Sequence, residues 1–341
     1  MAVQDRQQVT IYEVAQRVGV SIATVSRALR GTDYVAPETR RRVLAAVEEL
    51  QFRPSRLGQS LAEGRHAANG IVFPDLSGPY YSEVVLGYEE VAAELGNSVL
   101  ILATHGRPDP SRKVLELARR VDGMVVMGRT VADDVVAQVA EIGVPTVLLA
   151  RAAVGALDTI TADNDTSARQ LVEHLLEHGY QRFAYLGDPD SSPDVTDRYR
   201  AFREALTDAG RKPPRSPVRC AFDVDAGHRA ARRALAGSPR PQVLVCANDE
   251  VALGAMAAAA EQGLTVPADV AITGWDDVMA ARYAGLTTVH QPMRELGATA
   301  ARWLQDRMAG SQAAVRREVL PTRLVVRTSC GPHDAEKEVR G

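Results

Sequence analysis

Between residues 69 and 273, short apolar runs alternate with stretches that are apolar on one helical face only. The first series predicts strands over 69–73, 98–103, 123–127 and 146–150. Helices are expected between them, one with Val84, Val85, Tyr88, Val91 and Leu95 at helical spacing, then 111–120 and 132–142. A second series starts near Ile160, with helices over 165–178, 198–209, 226–236 and 249–262 and strands over 183–186, 243–246 and 270–273. Strands that alternate with helices form parallel, doubly wound sheets. Two such series predict two similar α/β lobes, with a ligand cleft between them at the carboxyl ends of the strands.

The chain has 341 residues, too many for one small core. Its hydrophobic and charged fractions, 45% and 24%, are those of an ordinary globular protein. No apolar run approaches the ~20 residues that span a bilayer, and residues 1–10 lack the apolar core of a signal peptide. The expected location is cytoplasmic, with no membrane partner. Cys220, Cys246 and Cys330 are odd in number and far apart, which suits isolated thiols better than a disulfide framework or a metal site. The net charge of −3 conceals an asymmetry. Residues 1–65 carry ten arginines against seven acids, so a basic head precedes an acidic body. Such a head suits a polyanionic partner.

Thr10 and Glu13 have the spacing of a capping box, and Ile11, Val14, Ala15 and Val18 then follow at helical spacing. Gly19 suits the left-handed turn that ends a helix. Ser21 can cap a second helix that buries Val25, Ala28 and Leu29 and leaves Ile22, Ala23, Ser26 and Arg27 on its other side. Two short helices joined by such a turn are a helix-turn-helix, whose second helix enters the DNA major groove. Gly31 is expected to end that helix. Pro37 begins a third, with Val43, Leu44, Val47 and Leu50 at core spacing. Arg40, Arg41 and Arg42 near its N-terminus oppose the helix dipole, and phosphate contacts would account for them.

The segment Thr10–Pro54, and within it Val20–Leu29 (VSIATVSRAL), resembles the DNA-binding head of the lac repressor family of bacterial regulators, and the resemblance continues to about Ser329. It implies an all-α helix-turn-helix head over 10–53, after a flexible 1–9, and a hinge over 54–64. The core would be periplasmic-binding-protein-like. Its first lobe would comprise 66–160 and 290–318, its second 161–289 and 319–330, followed by a disordered tail over 331–341. The chain would re-cross near 287–289, pack a helix over 293–308 on the first lobe and return near 320–326. The tail has no leucine heptads, so a homodimer is expected.

By the same resemblance Ile22, Ala23 and Arg27 match base-reading positions, for operators that are near-palindromes with a central CG step. Arginine bonds guanine bidentately, and small apolar groups meet thymine methyls. Thr10, Ser21, Thr24, Ser26 and Arg56 complete the DNA-binding set. Leu61 matches a hinge leucine that wedges into the minor groove and kinks the duplex. Gly58, where alanine is usual, makes the hinge helix costlier to form.

The effector pocket implied by the family comprises Ser77, Tyr80, Tyr81, Arg198, Phe222, Asn248, Asp249 and Asp276, for a small polar effector, a sugar or nucleoside-like compound. Two departures are Ala201 in place of a glycine and Ala150 at a strand end where a polar residue is usual. The segment 106–121 is also about one helical turn short.

No cofactor, metal or catalytic residue is expected. The string His174-Leu175-Leu176-Glu177-His178 has the inverted zinc-peptidase pattern, but a helix packing Leu171, Val172, Leu175 and Leu176 and ended by Gly179 explains it without metal. Phosphate-binding loops and nucleophile elbows are absent from the sequence. The competing reading is a small-molecule binding protein without a DNA role, which the head argues against.

Overall fold

The computed structural model describes residues 9–30, 35–52 and 66–331. The chain divides into two compact units, Met1–Ala67 and Ala68–Gly341.

In the first unit three helices form: α1 (Ile11–Val18), α2 (Ile22–Arg30) and α3 (Pro37–Glu49). The Glu13 carboxylate accepts hydrogen bonds from the Thr10 backbone N–H at 2.7 Å and its hydroxyl at 3.0 Å. Gly19 takes a left-handed conformation, φ 72°, and its N–H closes α1 on the Ala15 carbonyl at 2.9 Å. Only a residue tolerant of positive φ can turn the chain this tightly. Ser21 then caps α2, its Oγ accepting from the Thr24 N–H at 3.2 Å. Val14, Ala15, Val18, Val25, Ala28, Val43, Ala46 and Phe52 form the buried core. Leu44, expected there, is exposed. The inward face of α3 runs through Val43, Ala46 and the half-buried Val47 and Leu50, which sets Leu44 one step off the stripe.

The arginine triplet is partly used inside the fold. Arg42 donates to the Val18 carbonyl at 2.6 Å, satisfying an orphan acceptor at the end of α1, and Arg41 pairs with Glu38. Gly31, which should end α2, lies outside the described residues, as do Arg56, Gly58, Leu61 and the tail beyond Gly331.

The second unit contains two α/β lobes. Its first sheet is six-stranded and parallel, built from β1 (Ala68–Phe73), β2 (Ser98–Ala103), β3 (Gly123–Met127), β4 (Thr146–Leu149), β5 (Asp158–Ala162) and β10 (Arg317–Leu320), in the order β10-β5-β4-β3-β1-β2. Helices α4 (Pro79–Glu94), α5 (Pro110–Ala118) and α6 (Asp133–Glu141) link the first four strands. The strand around Ile160, expected to open the second series, is the fifth strand of the first. It pairs with β4 and β10, and apolar periodicity carries no information on which sheet a strand joins.

The second lobe holds α7 (Thr166–Glu177), β6 (Phe183–Leu186), α8 (Pro193–Asp208), α9 (Val224–Leu235), β7 (Val243–Cys246), α10 (Asp249–Glu261), β8 (Ala271–Thr273) and the short α11 (Met279–Tyr283). Strands β6, β7 and β8 are parallel neighbours, and bridges Leu186–Val218 and Thr273–Thr287 extend the sheet on both sides. The chain then passes through β9 (Thr288–His290) to α12 (Met293–Met308), which packs in the first lobe's core with Leu296, Ala300 and Leu304. After β10 it returns as β11 (Arg323–Val325), antiparallel to β9.

Helix α8 begins five residues before the expected start at 198. Ser192 precedes it in an extended conformation and Pro193 opens it, the position where a missing N–H costs nothing. This earlier start brings Asp194 onto the helix.

Each lobe contains one close helix crossing made by a glycine pair. A Cβ on Gly87 (α4) would lie 2.0 Å from the Arg294 carbonyl oxygen, and one on Gly297 (α12) 2.1 Å from that of Val84. Gly227 (α9) and Gly254 (α10) repeat the arrangement against Val251 and Val224.

Candidate functional site

Two sites emerge, one in each unit. Ser21, just before α2, and Ile22, Ala23 and Arg27 on it are exposed, while Thr24 and Ser26 are half-buried beside the core residue Val25. Ile22 is 38% exposed although apolar. The Arg27 Nε donates to the Ala23 carbonyl at 3.2 Å, and Ser21 Oγ lies 2.9 Å from Thr24 Oγ1. One face of the helix thus presents a short apolar pair beside a guanidinium. Thr10 sits at the start of α1 and is exposed.

The second site is a cavity of about 390 Å³ between the lobes. It opens at the carboxyl ends of β1, β3 and β4 on one side and of β7 and β8 on the other, where Asp75, Arg129, Ala150, Asn248 and Asp276 follow their strands. Ser77, Tyr80, Tyr81, Arg198, Phe222, Asn248 and Asp276 all line it. Asp249 does not. It is fully buried, and its carboxylate accepts from the Thr288 hydroxyl at 2.6 Å and the Val278 N–H at 2.9 Å. As the first residue of α10 it points into the protein, while Asn248, the N-cap, faces the cavity.

Arg198 is held before any ligand arrives. Its Nε donates to Asn164 Oδ1 at 2.7 Å and an NH group to the Ala247 carbonyl at 3.0 Å, and its guanidinium lies 4.5 Å from the Trp275 ring centre. Asn164 also donates to Asp194 at 3.0 Å. Burial raises the Asp194 carboxyl above the ordinary range, opposed by Arg198 and Asn164. Burial likewise pushes Asp276 up to about 6, although Arg198 and a hydrogen bond from Gln291 pull it down. Glu250 is pushed up to about 7, first by burial and then by Asp276, Asp223 and Asp75. The Tyr80 phenol is raised well above its usual value by burial, then by Asp194 and Asp276.

Crowded carboxyls around a fixed guanidinium can accept from several hydroxyls at once, while an aromatic ring covers C–H surface. Phe222 supplies such a ring, with the Arg129 guanidinium 4.9 Å from its centre. The same arginine donates to the Tyr81 hydroxyl of its own lobe at 3.5 Å, so a side chain anchored in the first lobe reaches Phe222 of the second at the cavity rim. The Ala150 side chain, at φ 50°, offers no polar atom, and the following Arg151 turns away to the Val131 carbonyl and Asp133.

Sequence reasoning missed Asp75, Arg129, Asp194, Glu250 and Gln291 among the lining residues. For Asp194 the signal was present: Ser192-Pro193 marks a helix start that places Asp194 one turn before Arg198. For the others only the meeting of the two lobes identifies them.

Residues 10–55 match the family model described as bacterial regulatory proteins, lacI family. Residues 172–330 match that of a periplasmic binding protein-like domain. The chain is 32% identical to the ribose operon repressor of Halalkalibacterium halodurans, over 96% of this chain and 99% of that one. It is also 32% identical to the transcriptional repressor PurR of Mannheimia succiniciproducens, over 94% and 98%. Among solved structures, the lac repressor dimer bound to operator and the anti-inducer ONPF superposes with a TM-score of 0.85 at 29% identity, covering 96% of this chain and all of that one. The CelR–cellobiose complex superposes with a TM-score of 0.71 at 30% identity, covering 94% and all of the other chain.

Proposed function

Since this chain belongs to the lacI family of bacterial regulatory proteins, a family of ligand-responsive, sequence-specific DNA-binding transcription regulators, we propose that it represses transcription as a cytoplasmic homodimer, without catalysis, in response to a small polar effector held between the core lobes. The observation that carries this reading is the exposed Ile22–Ala23–Arg27 face of α2 in a chain that also holds an Arg198-centred cavity.

Ile22, Ala23 and Arg27 read bases, Arg27 by bonding guanine and the apolar pair by meeting thymine methyls. Thr10, Ser21, Thr24 and Ser26 hold the phosphate backbone, which fixes register without reading sequence. Arg56 and Leu61 act in the hinge, where Leu61 unstacks a central step. In the cavity Arg198 clamps a ligand oxygen, Asp276 and Asp194 accept from or donate to hydroxyls, and Phe222 covers a ring face. Ser77, Tyr80, Tyr81 and Asn248 complete the lining. A sugar or a nucleoside-like compound meets these demands. The effector acts only through its difference in affinity for the DNA-competent and DNA-incompetent states. Asp249 positions α10 and is not a contact.

Selection of bound duplexes from a random pool, at near-physiological salt, tests the reading. A retained near-palindrome is expected, and Arg27→Ala should lose discrimination at one base position per half-site. If a folded dimer enriches no sequence, alone or with pooled sugars and nucleosides, the regulator reading fails.

A further inference from the structure

Helix α7 carries His174, and His178 caps its C-terminal end one turn later, so both imidazoles lie on one face. The chain meets that face again 156 residues after His174, at Cys330, in a short turn over Thr328–Cys330. His174 Nε2 lies 3.3 Å from Cys330 Sγ. The two imidazole rings stand edge to face, 4.8 Å between centres. One donor atom from each of the three side chains falls within 4.8 Å of the others, with the thiol buried and both imidazoles half-buried.

We propose that His174, His178 and Cys330 form a binding site for a borderline-soft divalent metal ion, Zn²⁺ by its chemistry. Zinc lies about 2.3 Å from a thiolate and about 2.0–2.1 Å from an imidazole nitrogen, which puts neighbouring N and S donors about 3.5 Å apart in a tetrahedron. The His174–Cys330 distance already has that size. Two imidazoles and one thiol, without a carboxylate, select against Mg²⁺ and Ca²⁺, which need oxygen. Three protein donors leave a fourth position for water or an anion.

The surroundings hold the donors in place. Thr287 Oγ1 lies 3.0 Å from the Cys330 sulfur, and the Tyr180 hydroxyl donates to the Cys330 carbonyl at 3.0 Å. Gly331 crosses the His178 ring so closely that a Cβ there would come within 2.9 Å of Nδ1. The same turn is tied to Thr287, just before β9, because Ser329 Oγ accepts from the Thr287 N–H at 2.8 Å. A metal here fastens the turn to α7 and stiffens the second lobe beside the strand that leads back to the first. In the sequence the string matched a zinc pattern that a packing helix explained without metal, and only the fold brings Cys330 to the two histidines as a third donor.

Titration of the metal-free, full-length protein with Co²⁺ as the spectroscopic probe tests the site. One equivalent should produce a thiolate-to-cobalt charge-transfer band in the near ultraviolet, which Zn²⁺ then displaces. Cys330→Ser should abolish the band and Cys220→Ser should retain it. His178→Gln changes a half-buried side chain and leaves the buried thiol in place, so it tests the site even if Cys330→Ser fails to fold. It should weaken Co²⁺ affinity at least ~10-fold. Excess Zn²⁺ should raise the thermal midpoint of the wild type by more than that of His178→Gln. Absence of the band in the wild type, its survival in a folded Cys330→Ser variant, or unchanged affinity in His178→Gln overturns the proposal.

Discussion

Asp158 shows how strongly one buried residue can bind the fold together. It starts β5 and is almost fully buried. Its carboxylate receives Arg307 at 2.7 and 2.9 Å, the Arg316 guanidinium at 2.8 and 3.1 Å, and the Arg316 backbone N–H at 2.8 Å. Burial alone would raise its pKa, but these donors outweigh it and bring it down to about 2. The contribution is therefore present above the ordinary carboxylate value and is lost as pH falls through about 2. Asp158→Ala should cost about 3–5 kcal/mol, because two arginines lose their partner, as read from urea unfolding at neutral pH.

Glu250 shows the opposite sign. Its folded value of about 7 lies above the ordinary 4.5, so the folded protein holds a proton that the unfolded chain has released. Stability should fall as pH rises from about 4.5 to about 7. Glu250→Gln should gain on the wild type more at pH 8 than at pH 5, and an equal difference at both values would refute the assignment.

Among the elements, the glycine crossings set the geometry. Glycines on α9 and α10 let the backbones touch, and at Gly254 a Cβ would sit 2.0 Å from the Val224 carbonyl oxygen. A backbone oxygen cannot rotate away, so Gly254→Ala should lower stability by about 1–3 kcal/mol through overpacking. A melting curve unchanged from wild type would mean that the helices separate freely. The order of strands and helices was legible because alternating apolar patterns survive in short segments. Strands β3, β6 and β7 occupy the ranges the pattern indicates. Boundaries drifted where a cap decided them, as at Ser192-Pro193, and sheet membership was silent at β5, since parallel pairing is a long-range choice.

For the whole molecule, the cavity exists because two lobes bring their strand ends together. Arg129 reaches Phe222, and Gly78 in the first lobe approaches Glu250 in the second so closely that a Cβ would come within 2.9 Å of its carboxylate. Arg198→Ala should weaken effector binding at least ~10-fold, since a hydrogen bond to a charged group contributes about 1.5–3 kcal/mol. Operator affinity without effector should stay unchanged. Calorimetric titration with the effector and a filter-binding assay with operator separate the two, and loss of both would place Arg198 in the fold's support.

The sequence by itself determined the helix-turn-helix head, the α/β alternation and the family, because capping residues, turn glycines and apolar periodicity are local signals. It also pointed to Arg198, Phe222 and Asp276 through family resemblance. Only the tertiary structure decided that Asp249 faces inward while Asn248 faces the cavity, that Glu250 and Asp194 join it, and that Cys330 meets His174. Each depends on which surfaces meet after residues distant in the chain have packed, and burial and proton affinity follow from that packing.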